Sequence, residues 1–297
     1  MRRCCHRFRL VAAPLAASVG LAARPAHAID AFEIQVYDGT ANRTGAPGLE
    51  LHVDHVLSGA KTAAPPELPS DHRTTFTLEP SYGLFDFWEL GAYVQTALRS
   101  DGAFDYAGLK LRSKFVTPPG WHDPWRLGVN FEFSVLPRSY DRDRYGGELR
   151  PIAAWEDQHW LFAVNPIVDL SFEGEGWSRG PAFEPCVMAK RKLGPVAVGF
   201  EYYSGLGPIA RPRAWSGQDE YVYETIDLIS LPLVELNFGI GEGLSAASDG
   251  LVAKLNVGYV WESPAAASPS TLATSARRRW PGRASPRPPT QQATIDK

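Results

Sequence analysis

The chain of 297 residues holds only three cysteines, and two of them, Cys4 and Cys5, fall in its first few residues. A segment that loses its first 28 residues keeps Cys186 alone, which excludes an internal disulfide and a cysteine-based zinc site. Cys186 reads as a small buried hydrophobe. No stretch of eighteen consecutive apolar residues exists, so a helical membrane protein is excluded as well. No phosphate-binding glycine loop or nucleophile elbow is present, and Gly239-Ile240-Gly241 sits inside a strand pattern. Basic charge is also scarce where it would count. Of 30 basic residues five are arginines before residue 29 and six lie beyond residue 261, which leaves 19 against 31 acidic ones in the body. Such a body does not bind nucleic acid, because phosphate needs a basic face.

What is present begins with an export signal. Arg2, Arg3, Arg7 and Arg9 precede an apolar stretch from Leu10 to Ala23, and Ala26-His27-Ala28 closes it as a small-x-small cleavage site. The expected mature start is Ile29. From Glu262 onward the chain is rich in Ser, Ala, Pro and Arg without periodicity, and reads as disordered. The body therefore runs to Trp261.

Within the body, hydrophobicity alternates with period two. Trp125, Leu127, Val129, Phe131, Phe133 and Val135 fall on one face, and Arg126, Asn130, Glu132 and Ser134 on the other. The segments 86–99 and 250–261 repeat the pattern. Twelve such segments are expected, at 48–59, 72–84, 86–99, 104–117, 125–136, 146–156, 159–172, 181–193, 195–206, 220–231, 233–244 and 250–261. Their lengths suit tilted membrane strands of about 9 to 11 residues rather than globular strands of about 5 to 6. Tight connections alternate with long polar loops, as in outer-membrane barrels. The predicted fold is all-β: an antiparallel transmembrane β-barrel of about twelve strands over 48–261, after a signal peptide (1–28) and a periplasmic segment (29–47), and before a disordered tail (262–297). Phe32–Tyr37 would break the even parity as a membrane strand and is placed in the periplasm or at the barrel mouth. Pro80, Pro151, Pro166 and Pro185 interrupt segments, and a bulge is expected at each. Trp88, Trp121, Trp125, Trp155, Trp160, Tyr202, Tyr259 and Trp261 near segment ends suit aromatic girdles. The competing fold is a soluble sandwich.

If apolar residues face lipid, the lumen is lined by Glu79, Glu89, Lys110, Arg112, Lys114, Arg126, Glu132, Arg150, Glu184, Glu201, Glu224 and Glu235. Acidic and basic strands interleave, so cross-strand ion pairs are available. They describe either a salt-bridged filling or a charged solute path. His52 and His55 flank Asp54 near Ser58, the basis for weighing a lipid hydrolase or a metal site. Alternation puts the two histidines on opposite faces, and no catalytic residue, metal or cofactor is assigned.

The segments Leu78–Gly83, Trp88-Glu89-Leu90-Gly91, Lys110–Phe115 and Val257-Gly258-Tyr259-Val260-Trp261 resemble an uncharacterised family of proteobacterial outer-membrane β-barrels. More loosely, they are similar to the transporters grouped as phenol-degradation MetA-like proteins. The resemblance spans about residues 31 to 261, rests on hairpin features, and carries no site residue. It implies a Gram-negative outer-membrane location, with membrane lipid, lipopolysaccharide and the barrel-assembly machinery as partners. The expected function is a narrow channel or transporter for small solutes, aromatic or apolar ones included. A non-conducting structural barrel and a lipid hydrolase are the alternatives.

Overall fold

The computed structural model describes residues 30–262; the expected signal peptide and all but the first residue of the tail lie outside them. Twelve antiparallel strands form the wall. They are β1 (Pro47–Ser58), β2 (Thr74–Phe85), β3 (Trp88–Leu98), β4 (Phe104–Val116), β5 (Trp125–Val135), β6 (Tyr145–Glu156), β7 (Trp160–Asn165 with Val168–Ser171), β8 (Ala182–Phe183 with Cys186–Leu193), β9 (Val196–Gly205 with Gly207–Pro208), β10 (Asp219–Leu228), β11 (Val234–Gly243) and β12 (Leu251–Val260). Each pairs with its sequence neighbours, and β1 also pairs with β12, Gly48 standing opposite Val260 and Asp54 opposite Lys254. The sheet is thus a closed barrel with no free edge, which removes the aggregation hazard of long strands. One short helix, α1 (Gly174–Arg179), sits in the β7–β8 loop.

Tight turns gather at one end. Asp86-Phe87 joins β2 to β3, and Gly194-Pro195 joins β8 to β9, where Gly194 takes a φ of 67°. The long connections, including 59–73, 136–144 and 172–181, gather at the other. The alternation sets the two faces: Asn130 is fully buried while Phe131 beside it is 47% exposed. The outward face is a continuous apolar surface carrying Leu51, Leu78, Val94, Leu111, Phe131, Phe162, Val187, Phe200, Phe238 and Val257, all exposed. Around the turn end aromatic rings pack in a chain, Phe85 on Trp88 at 6.1 Å and Trp88 on Phe115 at 5.3 Å, with Trp160 on Phe162 at 5.7 Å and Tyr259 on Trp261 at 4.9 Å. This outer face has the make-up of a surface solvated by lipid, with an interfacial girdle.

The prolines act differently from expectation. Leu149 pairs with Val168 and Ala153 with Val164, so the register across β6 and β7 is unbroken and Pro151 faces Pro166. Val168 opposite Phe183 and Asn165 opposite Cys186 likewise set Pro166 opposite Pro185. Three prolines share one level of three adjoining strands. Each lacks a donor, so the ladder opens for a few residues without any residue being inserted. Beside these three prolines a one-residue shift occurs on the next seam, where Cys186 pairs with Tyr203 but Phe183 with Gly207. At Pro80 the register also holds, with Leu78 opposite Val94 and Ser81 opposite Gly91.

The segment 30–46, expected outside the barrel or at its mouth, runs through the lumen from the loop end to the turn end. Phe32, Ile34, Val36 and Tyr37 are buried there. Ile34 and Val36 pack with Val56, Met188, Tyr203, Tyr223 and Val252, and Phe32 with Ala97, Ala107 and Tyr140. The apolar alternation of this piece does mark a buried element, but it is buried against the inner wall. Even parity kept it out of the sheet.

Candidate functional site

The lumen is the site. Because strands present alternate residues inward, each wall strand brings a charged or polar side chain every second position. The inner segment lies among them with its own backbone polar groups to satisfy. Wall side chains do this. Asn165 accepts from the Tyr37 amide at 2.7 Å and donates to the Tyr37 carbonyl at 3.0 Å, as a strand partner would. The Ile34 carbonyl accepts from Lys254 at 3.0 Å, that of Gln35 from Arg150 at 3.3 Å, that of Ala31 from Thr75 at 2.6 Å and that of Asp38 from Arg126 at 2.7 Å.

At the turn end Thr44 donates its amide and its hydroxyl to Asp86, at 2.9 and 2.8 Å. The amide bond is the chief reason the Asp86 carboxyl is held below its ordinary 3.8. A carboxyl that ionises more readily when folded adds stability above its unfolded pKa and loses it as pH falls through the folded value. Asp86→Asn should therefore lower unfolding stability at pH 7, and the difference from the parent protein should shrink in urea titrations as pH falls below the ordinary aspartate value. A difference that persists in acid would mean that Thr44 is held by something else.

Eleven of the twelve residues expected to line the lumen do face inward. Arg112 bonds Glu79 at 2.7 Å and also pairs with Glu89, and Lys114 meets Glu89 at 3.0 Å. Lys110 meets Glu132 at 3.3 Å and pairs with Asp30 of the inner segment. Arg150 holds Glu148 through two bonds, 2.6 and 3.0 Å, and lies 4.3 Å over the Tyr37 ring. Glu201 is held by Lys190 at 2.9 Å and by Lys254. Arg126 bridges Asp38 at 3.1 Å and Glu156. Glu184 lines a cavity in the loop-end half. Glu235 lies near the Gly258 backbone, as does Glu50, on the inner face at the turn end.

Glu224 is the exception and corrects the sequence reading. Its cross-strand neighbours are Phe200 and Ile240, both exposed on the outer face, and Glu224 is exposed with them. On β10 the inward positions belong to Tyr221 and Tyr223, which are buried, the latter filling the space over Gly241. Charge suggested the wrong face where an aromatic pair had taken the right one.

The sequence reading sets Tyr93 on the polar face of its segment without a role, and misses Glu33, Tyr37, Asn165 and Asp169. Tyr93 and Asn165 stand at buried, inward positions. Glu33 and Tyr37 belong to the segment placed outside. Tyr37 donates to Glu33 at 2.6 Å, and its hydroxyl lies 2.8 Å from that of Tyr93. His52 faces inward, its Nε2 3.1 Å from Glu79 and 3.7 Å from Glu50. Arg112 already neutralises Glu79, so His52, Glu50 and Glu79 form part of the ion-pair network. His55 Nδ1 instead meets the hydroxyl of Thr74 at 2.9 Å, so the two histidines do not share a site.

A closed twelve-stranded barrel, apolar outside and charged inside, defines the architecture of a transmembrane barrel. No protein-family model matches the chain, and no curated protein matches it. Several solved structures are similar in fold. The COG4313 outer membrane channel from Pseudomonas putida F1 is 14% identical, with a TM-score of 0.49 over 77% of this chain and 100% of that one. The KdgM porin is 9% identical, with a TM-score of 0.48 over 72% of this chain and 99% of that one. An active-site mutant of the outer membrane phospholipase A from Escherichia coli is 12% identical, with a TM-score of 0.40 over 78% and 95%.

Proposed function

We propose that the protein is a Gram-negative outer-membrane channel for small solutes, aromatic or apolar ones among them, whose lumen is closed at rest by its own segment 30–46. The turn end faces the periplasm and the loop end the outside. The observation that carries this reading is a polar row on the inner wall. Asn237, Asn256, His52, Thr77 and Gln95 stand side by side at one level of five adjoining strands, β11, β12, β1, β2 and β3. Each keeps a buried polar atom that no group among the described residues satisfies. Such atoms need hydrogen-bonding partners, and water or a polar solute can supply them. A wall built only as filling would have no use for five of them in a row. Membrane lipid and lipopolysaccharide meet the outer face, and the barrel-assembly machinery is the partner during insertion.

The ion pairs favour a second reading, a non-conducting barrel rigidified by its own charges. Conductance separates the two. In planar bilayers the full chain should show small, infrequent openings. Asn165→Ala removes both bonds to the Tyr37 backbone and should raise open probability several-fold, since each bond contributes about 0.5 to 1.5 kcal/mol. Silence in both proteins would defeat the channel.

A further inference from the structure

The loop-end half of the lumen contains a cavity of about 160 Å³ between the inner segment and the wall of β4 to β9. An engineered cavity of about 150 Å³ takes up benzene, so a body of that size fits. More acids than bases line it, and three acids form a row. Glu132 stands directly opposite Glu148, and Glu148 directly opposite Asp169. Like charges at such positions repel. Lys110 answers Glu132 and Arg150 answers Glu148. Asp169 ends the row with no side-chain hydrogen bond or ion pair to any described residue.

A second observation comes from the other side of the cavity. Glu33, 2% exposed, reaches the same space from the inner segment. Its Oε1 accepts from Tyr37 at 2.6 Å and Tyr93 at 3.3 Å and lies 3.8 Å from Arg150, which is shared with Glu148, whereas its Oε2 has no hydrogen-bond partner among the described residues. The lining also holds aromatic rings, Phe32 edge-on to Tyr140 at 5.6 Å and Tyr203, with Arg73 over the Tyr140 ring and Lys254 over the Tyr203 ring. Carboxylate oxygens without hydrogen-bond partners beside apolar ring carbon describe a receptor for a cation that carries an apolar body.

We infer that this cavity binds a small organic ammonium ion, a positively charged group on a body of about benzene size. The ammonium answers Asp169 and the free oxygen of Glu33, and the rings hold the apolar part. The inference rests on the channel reading for its role in transport and names the class of solute that the channel takes. The acid row disfavours carboxylates, and a neutral alcohol leaves Asp169 unanswered.

The test is calorimetric titration of the folded full chain in detergent with benzylammonium, benzyl alcohol and benzoate. Benzylammonium should bind at least roughly tenfold tighter than benzyl alcohol, and benzoate more weakly than either. Asp169→Asn and Glu33→Gln should each weaken benzylammonium roughly tenfold, with heat-modifiable gel mobility confirming that each variant folds. Glu224→Gln, on the outer face, should leave affinity unchanged. Absent benzylammonium binding, equal or tighter binding of alcohol or benzoate, or affinity unaltered by both lumen substitutions would overturn the site. Binding in a protein that never conducts would keep the site and defeat the channel; conductance without ammonium binding would do the reverse.

Discussion

Arg112→Ala should destabilise the barrel by about 3 to 5 kcal/mol, because it strips a buried cation from two carboxylates that remain buried. Glu79 and Glu89 are each 3% exposed and both bond Arg112. Lys114 still reaches Glu89 and His52 still reaches Glu79, which keeps the cost from being larger. The loss extends to the inner segment, since Arg112 also donates to the Tyr37 hydroxyl at 3.3 Å. Urea unfolding in lipid vesicles measures it. The double variant Arg112→Met, Glu79→Gln, which leaves Glu89 paired with Lys114, should recover most of the stability, for a buried ion pair contributes little over neutral groups of like volume. A cost under about 1 kcal/mol for the single variant would show that water reaches these carboxylates freely.

Phe131→Arg should cost about 2 to 4 kcal/mol, the cost of a cation near the bilayer midplane. Phe131 lies in the middle of β5 and points outward, between Ser113 on β4 and Leu149 on β6. Glu224→Leu makes the opposite change on the same face, and should be neutral or stabilising because it removes a carboxylate from between Phe200 and Ile240. A Phe131→Arg variant as stable as the parent, in vesicles, would mean that this face does not meet lipid. Alternation by itself also suggests that Asn130→Arg is harmless. The packing says otherwise: Asn130 is fully buried with Lys114 and Arg150 directly opposite on its two neighbours, so a third cation there meets both crowding and repulsion.

The twelve strands were legible because each carries its own evidence. Trp125–Val135 needs no knowledge of the rest of the chain to show an apolar and a polar face, and its length already exceeds a globular strand. The lumen residues on strands with clean alternation, such as Glu89 on β3 and Arg112 on β4, followed from the same local rule. Glu224 did not, because β10 offers tyrosines to the inside and the polar residue to the outside, and a rule keyed to charge reverses there. The prolines were visible as interruptions. Their alignment at one level of β6, β7 and β8 depends on inter-strand register, which no single segment contains.

The sequence by itself determined the wall: how many strands, which face of each except β10 turns its apolar residues outward, and where the tight turns fall. These are properties of neighbours along the chain, set by pleat and period. Only the tertiary structure decided what occupies the space that the wall encloses. Phe32, Ile34 and Val36 read as one more amphipathic piece, and the choice between the sheet, the periplasm and the lumen was made by groups far away. Asn165, Arg150 and Lys254 offer backbone partners inside the barrel, and buried cations there find Asp30 and Asp38. A closed sheet has no edge left to take a thirteenth strand, so the segment satisfies its polar backbone with side chains and buries its apolar residues inward.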